Sequence, residues 1–209
     1  VTLFDPPAGV GRELLPHGGS AVLTLDVITP SHERAVFATL RRELPWRQNH
    51  LHIFGRTVPE PRLVTWMGDP GAGYSYSGIE LDPVPWTPEV MAVRAAASSL
   101  AGVEFNSVLA NLYRDGNDSV DWHADDEPEL GREPVIASLS LGATRRFDLR
   151  HRESGETVRV DLPPGSVVVM SGRCQNEWVH RVAKTKRPVG PRINLTFRTI
   201  RDDQGRSSK

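Results

Sequence analysis

Cysteine is almost missing from this chain. Cys174 is the one thiol, so an intramolecular disulfide and a multi-cysteine zinc site are both excluded, and a reducing compartment is the expected setting. Lysine is scarce too: of 25 basic residues, 22 are Arg and three are Lys, a bias that suits bidentate binding of carboxylate or phosphate. Long apolar runs are absent. Pieces such as Val167 to Met170 fall far short of a bilayer span, and the N-terminus lacks a charged-then-apolar signal pattern. No repeat of about 20 to 50 residues is present, which excludes solenoids and propellers. The expectation is an intracellular, cytoplasmic protein (nuclear if eukaryotic), with no membrane partner. A chain that opens on Val1 rather than Met reads as trimmed at its start.

What is there points to one domain. The 209 residues are 38% hydrophobic, enough for one substantial core. Gly and Pro total 35, which argues against a helical bundle and for short strands joined by tight turns. The net charge of −1 neither predicts nor excludes nucleic acid, but its distribution is uneven. Asp115 to Glu133 holds eight acids and one base, Arg132, while Arg181 to Arg201 holds seven bases and no acid. One segment wants a cation and the other an anion.

Residues 1–20 lack periodicity and read as a loosely ordered arm before a single domain over 21–209. Val22 to Ile28 alternates like a strand. Thr29-Pro30-Ser31 then starts a helix whose Val36, Phe37, Leu40 and Leu44 share a face, and Thr87-Pro88 starts a second that buries Val90, Val93, Ala97 and Leu100 and stops before Gly102. Between them, about residues 45–86 carry broken strand-like pieces with exposed-looking aromatics (Trp46, Phe54, Trp66, Tyr74, Tyr76), as in a binding lid. From about 104 to 200 strand follows strand: Phe105–Tyr113, Val135–Leu141, Arg146–Arg150, Thr157–Leu162, Val167–Met170, Trp178–Val182 and Arg192–Ile200. The fold class is mainly β with flanking helices (α+β), built as a sandwich, jelly roll or barrel.

Two constellations carry chemistry. His123-Ala-Asp125 sets two metal-capable side chains at i and i+2 of extended chain, and His180 follows 57 residues later. Two His and one carboxylate leave three coordination positions open, as in non-haem Fe(II) oxygenases; a polar turn is the plainer reading. Arg192-Ile-Asn-Leu-Thr-Phe-Arg198 alternates, with Arg192, Asn194, Thr196 and Arg198 on one face and Ile193, Leu195 and Phe197 on the other. An edge strand with solvated arginines would look alike, but two Arg flanking a polar pair suit a dicarboxylate. Asn111 and Tyr113 likewise share a strand face just ahead of the acidic turn. The other histidines, His17, His32, His50, His52 and His151, have no partner at metal spacing and receive no role. Cys174 reads as a small buried residue, and Arg181, Lys184, Lys186 and Arg187 as either phosphate contacts or a solvated loop.

Taken in order, Asn111-Leu-Tyr-Arg-Asp-Gly, Asp121-Trp-His-Ala-Asp-Asp-Glu127, Ala137-Ser-Leu-Ser-Leu-Gly142, Trp178-Val-His180 and Arg192-Ile-Asn-Leu-Thr-Phe-Arg198 resemble the AlkB family of Fe(II)- and 2-oxoglutarate-dependent nucleic-acid dealkylases. The similarity covers about residues 45–200. It implies a double-stranded β-helix (jelly-roll) core with an N-terminal nucleotide-recognition lid. It makes His123, Asp125 and His180 the iron ligands and sets 2-oxoglutarate against Asn111, Leu112, Tyr113, Arg192, Asn194, Thr196 and Arg198, with O2 as the other co-substrate. The implied activity is oxidative demethylation of 1-methyladenine and 3-methylcytosine in DNA and in RNA, releasing formaldehyde, succinate and CO2.

That family's lesions are cationic, so an acid beside the base pocket favours them over neutral bases, and Asp126 and Glu127 are the candidates. Arg62 in Pro61-Arg-Leu and Tyr74, Ser75 and Tyr76 look like the nucleotide-recognition region, with Trp46, Tyr74 and Tyr76 able to stack on an extruded base. Phe54, Gly55 and Arg56 sit where duplex-preferring relatives carry a wedge, whereas Asp118-Ser-Val-Asp-Trp-His and Gly142-Ala-Thr-Arg look closer to single-strand-preferring ones. A monomer acting on nucleic acid is expected. The rival readings are a hydroxylase of the same cofactors acting on a protein or small molecule, a non-catalytic nucleic-acid-binding module, and a zinc hydrolase on the same three ligands.

Overall fold

The computed structural model describes residues 11–53, 55–76, 79–81 and 83–201, with backbone alone at 52–53, 74–76 and 79–81. In chain order its elements are β1 (Arg12–Glu13), β2 (Ser20–Thr24), α1 (Pro30–Glu43), β3 (His50–Ile53), β4 (Arg56–Pro59), β5 (Leu63–Gly68), β6 (Tyr74–Tyr76), β7 (Ile79–Leu81), α2 (Pro88–Ala101), β8 (Ser107–Tyr113), β9 (Val120–His123), β10 (Ile136–Gly142), β11 (Arg145–His151), β12 (Thr157–Leu162), β13 (Val167–Ser171), α3 (Cys174–Glu177), β14 (Trp178–Val182) and β15 (Arg192–Arg198). Two antiparallel sheets face each other as a jelly roll: a seven-stranded one ordered β1-β2-β13-β10-β15-β8-β5 and a four-stranded one ordered β12-β11-β14-β9. Among the described residues no helix is long and apolar enough to cross a membrane.

Strand alternation divides the interior into two layers. One face of the large sheet sends Ala137, Leu139, Leu141, Ile193, Leu195 and Phe197 against Val36 and Leu40 of α1 and Val90, Val93 and Ala97 of α2. The opposite face sends Trp66, Leu109, Ile136, Val168 and Met170 toward Phe147, Leu149, Val160, Leu162 and Trp178 of the small sheet and its surroundings. Each of the Val, Leu, Ile, Phe and Met side chains so buried contributes about 1.5–3 kcal/mol through burial alone. Both long helices start as expected, Thr29 Oγ1 accepting from His32 N at 3.4 Å and Thr87 Oγ1 from Val90 N at 3.3 Å. α2 ends at Gly102 in the left-handed region, φ +67°.

Four details differ from the sequence expectation. β2 stops at Thr24 because Asp26 turns the chain with φ +52°. Residues 11–20, read as part of a loose arm, are fixed: β1 pairs with β2, Leu15 is buried, and the Glu13 carboxylate accepts from the N–H groups of Leu14, Leu15 and Ala21. The 45–86 segment is not one lid, since β5 in its middle is an edge strand of the large sheet. Its Trp66 is buried, donating Nε1 to Ala72 O at 2.8 Å, because period-two alternation turns it toward the small sheet. The one-turn α3 is an addition to the two expected helices.

Candidate metal centre and co-substrate cleft

Antiparallel pairing of β9 with β14 sets His123 directly opposite His180, with ring centroids 4.3 Å apart. Asp125 follows in the turn after β9, where its N–H donates to Gln175 Oε1 at 2.9 Å, so α3 anchors the turn. The ligand-capable atoms of His123, Asp125 and His180 lie within 4.8 Å of one another. His123 Nδ1 is 2.8 Å from the Asp121 carbonyl oxygen. A carbonyl only accepts, so Nδ1 carries the proton and Nε2 keeps its lone pair. Arg198 Nη2 donates to Asp125 Oδ1 at 2.6 Å, leaving Oδ2 facing His180 Nε2 at 3.9 Å.

The protonation states match that geometry. Burial, and next the neighbouring His123, push the His180 imidazole down to about 3, and burial likewise lowers His123. Burial alone would raise the Asp125 carboxyl, but Arg198 first, then His180 and His123, hold it below the ordinary carboxylate range. Two neutral imidazoles and one carboxylate are a donor set for a divalent cation with open positions.

Beside this centre, in the same cleft between the sheets, β15 presents Arg192, Asn194, Thr196 and Arg198, all buried. Their apolar neighbours Ile193, Leu195 and Phe197 face the helices. Asn194 Nδ2 donates to Ser138 Oγ at 2.8 Å and Thr196 Oγ1 to Asn194 Oδ1 at 2.9 Å. Arg192 Nη2 donates to Ser140 Oγ at 2.9 Å, while its Nε and Nη1, also buried, have no hydrogen-bond partner among the described residues. Burial lowers its pKa to about 10, which leaves it cationic at neutral pH. A buried guanidinium with two idle donors calls for an anion. Across the strand, Tyr113 lies with its ring centroid 5.3 Å from the Arg192 guanidinium, and Asn111 Oδ1 accepts from Arg62 Nε at 2.8 Å. Arg62 is held in turn by the buried Glu60, at 2.6 Å. The donor set fits a divalent metal next to a small dicarboxylate.

Not all of the expected site residues are among those that line this cleft. Leu112 points its side chain to the helix side, so only its backbone is near the cleft. Trp46 also packs on the helix-side core and donates Nε1 to Arg41 O at 3.2 Å. Gly55 turns the β3–β4 hairpin at φ +73° and Arg56 is exposed on β4. Asp126 is exposed and pairs with Arg152 at 3.2 Å, and Glu127 precedes the 3-10 turn Pro128–Leu130. Phe54 lies outside the described residues. Tyr74, Ser75 and Tyr76 form β6, and their side chains lie outside the described set.

Sequence reasoning missed Ser138, Ser140 and Gln175, which hold Asn194, Arg192 and Asp125. Two serines at period two inside the apolar strand Ile136–Gly142 were the available signal for the first pair; a glutamine in a one-turn helix offered none.

A profile of the 2OG-Fe(II) oxygenase superfamily matches residues 20–198. The chain is 44% identical over 179 residues to alpha-ketoglutarate-dependent dioxygenase alkB homolog 3 of Bos taurus, covering 81% of this chain and 62% of that protein. It is 41% identical over 207 residues to the alkB homolog 3 of Homo sapiens, covering 94% and 69%, and 38% identical over 176 residues to DNA oxidative demethylase ALKBH2 of Mus musculus, covering 79% and 74%. The chain thus spans about 62% of the length of its bovine relative. A solved structure, OsALKBH1, shares the fold with a TM-score of 0.57 at 21% identity, over 88% of this chain and 99% of that one. Fe(II), 2-oxoglutarate and O2 are the cofactor and co-substrates this membership implies. On these matches, carried over the strands that build the cleft, the chain belongs to the 2OG-Fe(II) oxygenase superfamily and, within it, to the AlkB family.

Proposed function

We propose that the protein is a nucleic-acid dealkylase that removes N-methyl groups from 1-methyladenine and 3-methylcytosine in DNA, with methylated RNA as a further substrate. The observation that carries this reading is the adjacency of a two-histidine, one-carboxylate centre and an inward row of paired arginines in one cleft. That row also sets aside a zinc hydrolase, which has no use for a buried anion site. Bound Fe(II), with 2-oxoglutarate and O2, supplies the oxidation that hydroxylates the N-methyl carbon, giving succinate and CO2 and an adduct that sheds formaldehyde.

The chain's part is to hold and orient. His123 Nε2, Asp125 and His180 would ligate the metal, the Asp121 carbonyl fixing the His123 tautomer. Arg198, bonded to Asp125, would meet the carboxylate nearer the metal. Arg192, beside Ser140 and Tyr113, would meet the far one through its idle donors. Asn111, Asn194 and Thr196 would line the path between. Asp126 and Glu127 would favour a cationic base over a neutral one, Asp126 by exchanging its exposed pair with Arg152 for the charged lesion. Arg62, whose exposure at the cleft is slight, would steady Asn111 and the base edge together.

Anaerobic reconstitution with Fe(II) and 2-oxoglutarate, followed by air, tests the proposal. Formaldehyde released only with an oligonucleotide carrying 1-methyladenine or 3-methylcytosine is expected. Succinate without any response to methylated nucleic acid would move the substrate to another class, and neither product would leave a binding module.

A further inference from the structure

The fold gathers a second cluster of metal-capable side chains from histidines that the sequence left without partners. His17 precedes β2, His151 ends β11 and Glu177 closes α3, yet their ligand-capable atoms lie within 4.8 Å of one another. His151 Nε2 is 3.8 Å from Glu177 Oε2. The corresponding separation in the candidate iron centre, His180 Nε2 to Asp125 Oδ2, is 3.9 Å, so this histidine–carboxylate pair is as close as the one proposed to hold iron. We propose that His17, His151 and Glu177 form a second metal site, suited to Zn(II), with water as the fourth ligand.

The surroundings hold these groups in place. Trp178 Nε1 donates to the His17 carbonyl at 3.0 Å, and its ring lies against both imidazoles, with centroids 5.7 Å from His17 and 5.1 Å from His151. The two imidazoles meet edge to face at 4.7 Å. Gly18, at φ +72°, lets the main chain pass beside the Glu177 carboxylate, where any Cβ would overlap Oε2. Arg173 takes the other oxygen, Oε1, at 2.6 Å, leaving Oε2 toward the histidines. Glu156 Oε2, 3.2 Å from His17 Nε2, holds that imidazole from the outer side.

A ligating histidine needs a partner for its other nitrogen. Ser154 Oγ is 3.0 Å from His151 Nδ1 and can accept a proton from it. The Ser154 N–H donates to Nδ1 at 3.1 Å, so the metal-free ring carries its proton on Nε2; ligation through Nε2 moves that proton to Nδ1 and breaks the bond from Ser154 N–H, Ser154 Oγ then accepting from Nδ1. Two imidazoles and a carboxylate select zinc over magnesium or calcium, which prefer oxygen ligands alone. The ion would clip the segment before β2 to α3, two residues from the Gln175 that anchors Asp125.

Equilibrium dialysis against micromolar free Zn(II), with elemental analysis of bound metal per chain, tests this site separately from the dealkylase reading. Two zinc ions are expected in the wild type, one in His17→Ala, one in His123→Ala, and none in the double variant. His17 is half exposed, so its loss spares the core, and Glu177→Gln is a second variant that keeps the shape of α3 and loses the same ion. In the His123→Ala background, zinc should raise the thermal midpoint, and His17→Ala should abolish that rise. A His17→Ala protein that binds as much zinc as the wild type, or a His123→Ala protein that binds none, would overturn the proposal.

Discussion

Arg192 is 1% exposed and carries two buried donors without partners, so Arg192→Met should push stability and co-substrate affinity in opposite directions. Each unsatisfied buried donor costs about 1–3 kcal/mol. Methionine removes both, at the loss of the Ser140 bond and the contact with the Tyr113 ring, which together contribute about 2 kcal/mol. The net gain for the ligand-free protein is about 0–4 kcal/mol, centred near 2, in line with buried charges being replaceable by apolar groups of similar volume. At about 2–4 °C per kcal/mol for a chain of this size, the thermal midpoint should rise several degrees. Loss of a charge-assisted bidentate contact should cost 2-oxoglutarate about 3–4 kcal/mol, or roughly 10²–10³-fold in affinity. Differential scanning fluorimetry without ligand and calorimetric titration of 2-oxoglutarate with Mn(II) in place of iron measure the two effects. A lowered midpoint in the ligand-free protein together with unchanged 2-oxoglutarate affinity would refute the assignment of Arg192 as an anion site.

His123→Ala should lower formaldehyde release by more than about 10³-fold while leaving the fold intact by circular dichroism; a fully active variant would end the iron-centre reading. Asp126→Asn removes an acid that is exposed and paired with Arg152, worth about 1 kcal/mol at most, so kcat/KM for a 3-methylcytosine oligonucleotide should fall up to about fivefold with the KM for 2-oxoglutarate unchanged. An equal change in both would assign Asp126 to the co-substrate side instead. Asp118 is buried and accepts from Arg114 N, Nε and Nη2 at 2.7–2.8 Å; burial would raise its pKa, but these bonds, the side-chain one foremost, hold it below the ordinary value. Because the folded pKa is depressed, its stabilisation is present above the unfolded value of about 3.9 and is lost as pH falls below it. Asp118→Asn should therefore cost about 1.5–3 kcal/mol at pH 7 in urea unfolding, with the gap to wild type narrowing below pH 4. A gap independent of pH would show that packing, not charge, is what the carboxylate contributes.

What was legible in the sequence was whatever repeats at short range. The Arg192–Arg198 strand shows why: alternation alone separates four polar from three apolar side chains, and any buried strand must then send the polar set into an enclosed space. The helices α1 and α2 were readable for a similar reason, since a Thr-Pro start and an apolar stripe are both local. Within the iron centre, His123 and Asp125 stand two residues apart, whereas His180, 57 residues on in another strand-like segment, was a candidate third ligand that the resemblance made specific. Where a residue's fate depends on which strands become neighbours, local pattern is silent. Trp66 reads as an exposed lid aromatic until β5 is paired with β8, and that pairing turns it toward the small sheet.

The two metal-capable clusters make the same point from opposite sides. His123 and Asp125 are close in the chain, and β9–β14 pairing adds His180. His17, His151 and Glu177 have no such short-range pair: the nearest two, His151 and Glu177, are 26 residues apart, and they meet because β11 and β14 run side by side with His151 opposite Trp178. His17 joins them because the chain before β2, ordered by the Glu13 carboxylate and the Gly18–Gly19 turn, lies across Trp178. A Gly-rich segment without periodicity looks unstructured in sequence for the same reason that it can follow another element so closely: it has few side chains of its own to dictate a path. Its order is supplied by the surface it lies on, so the partners of His17 become visible only once that surface exists.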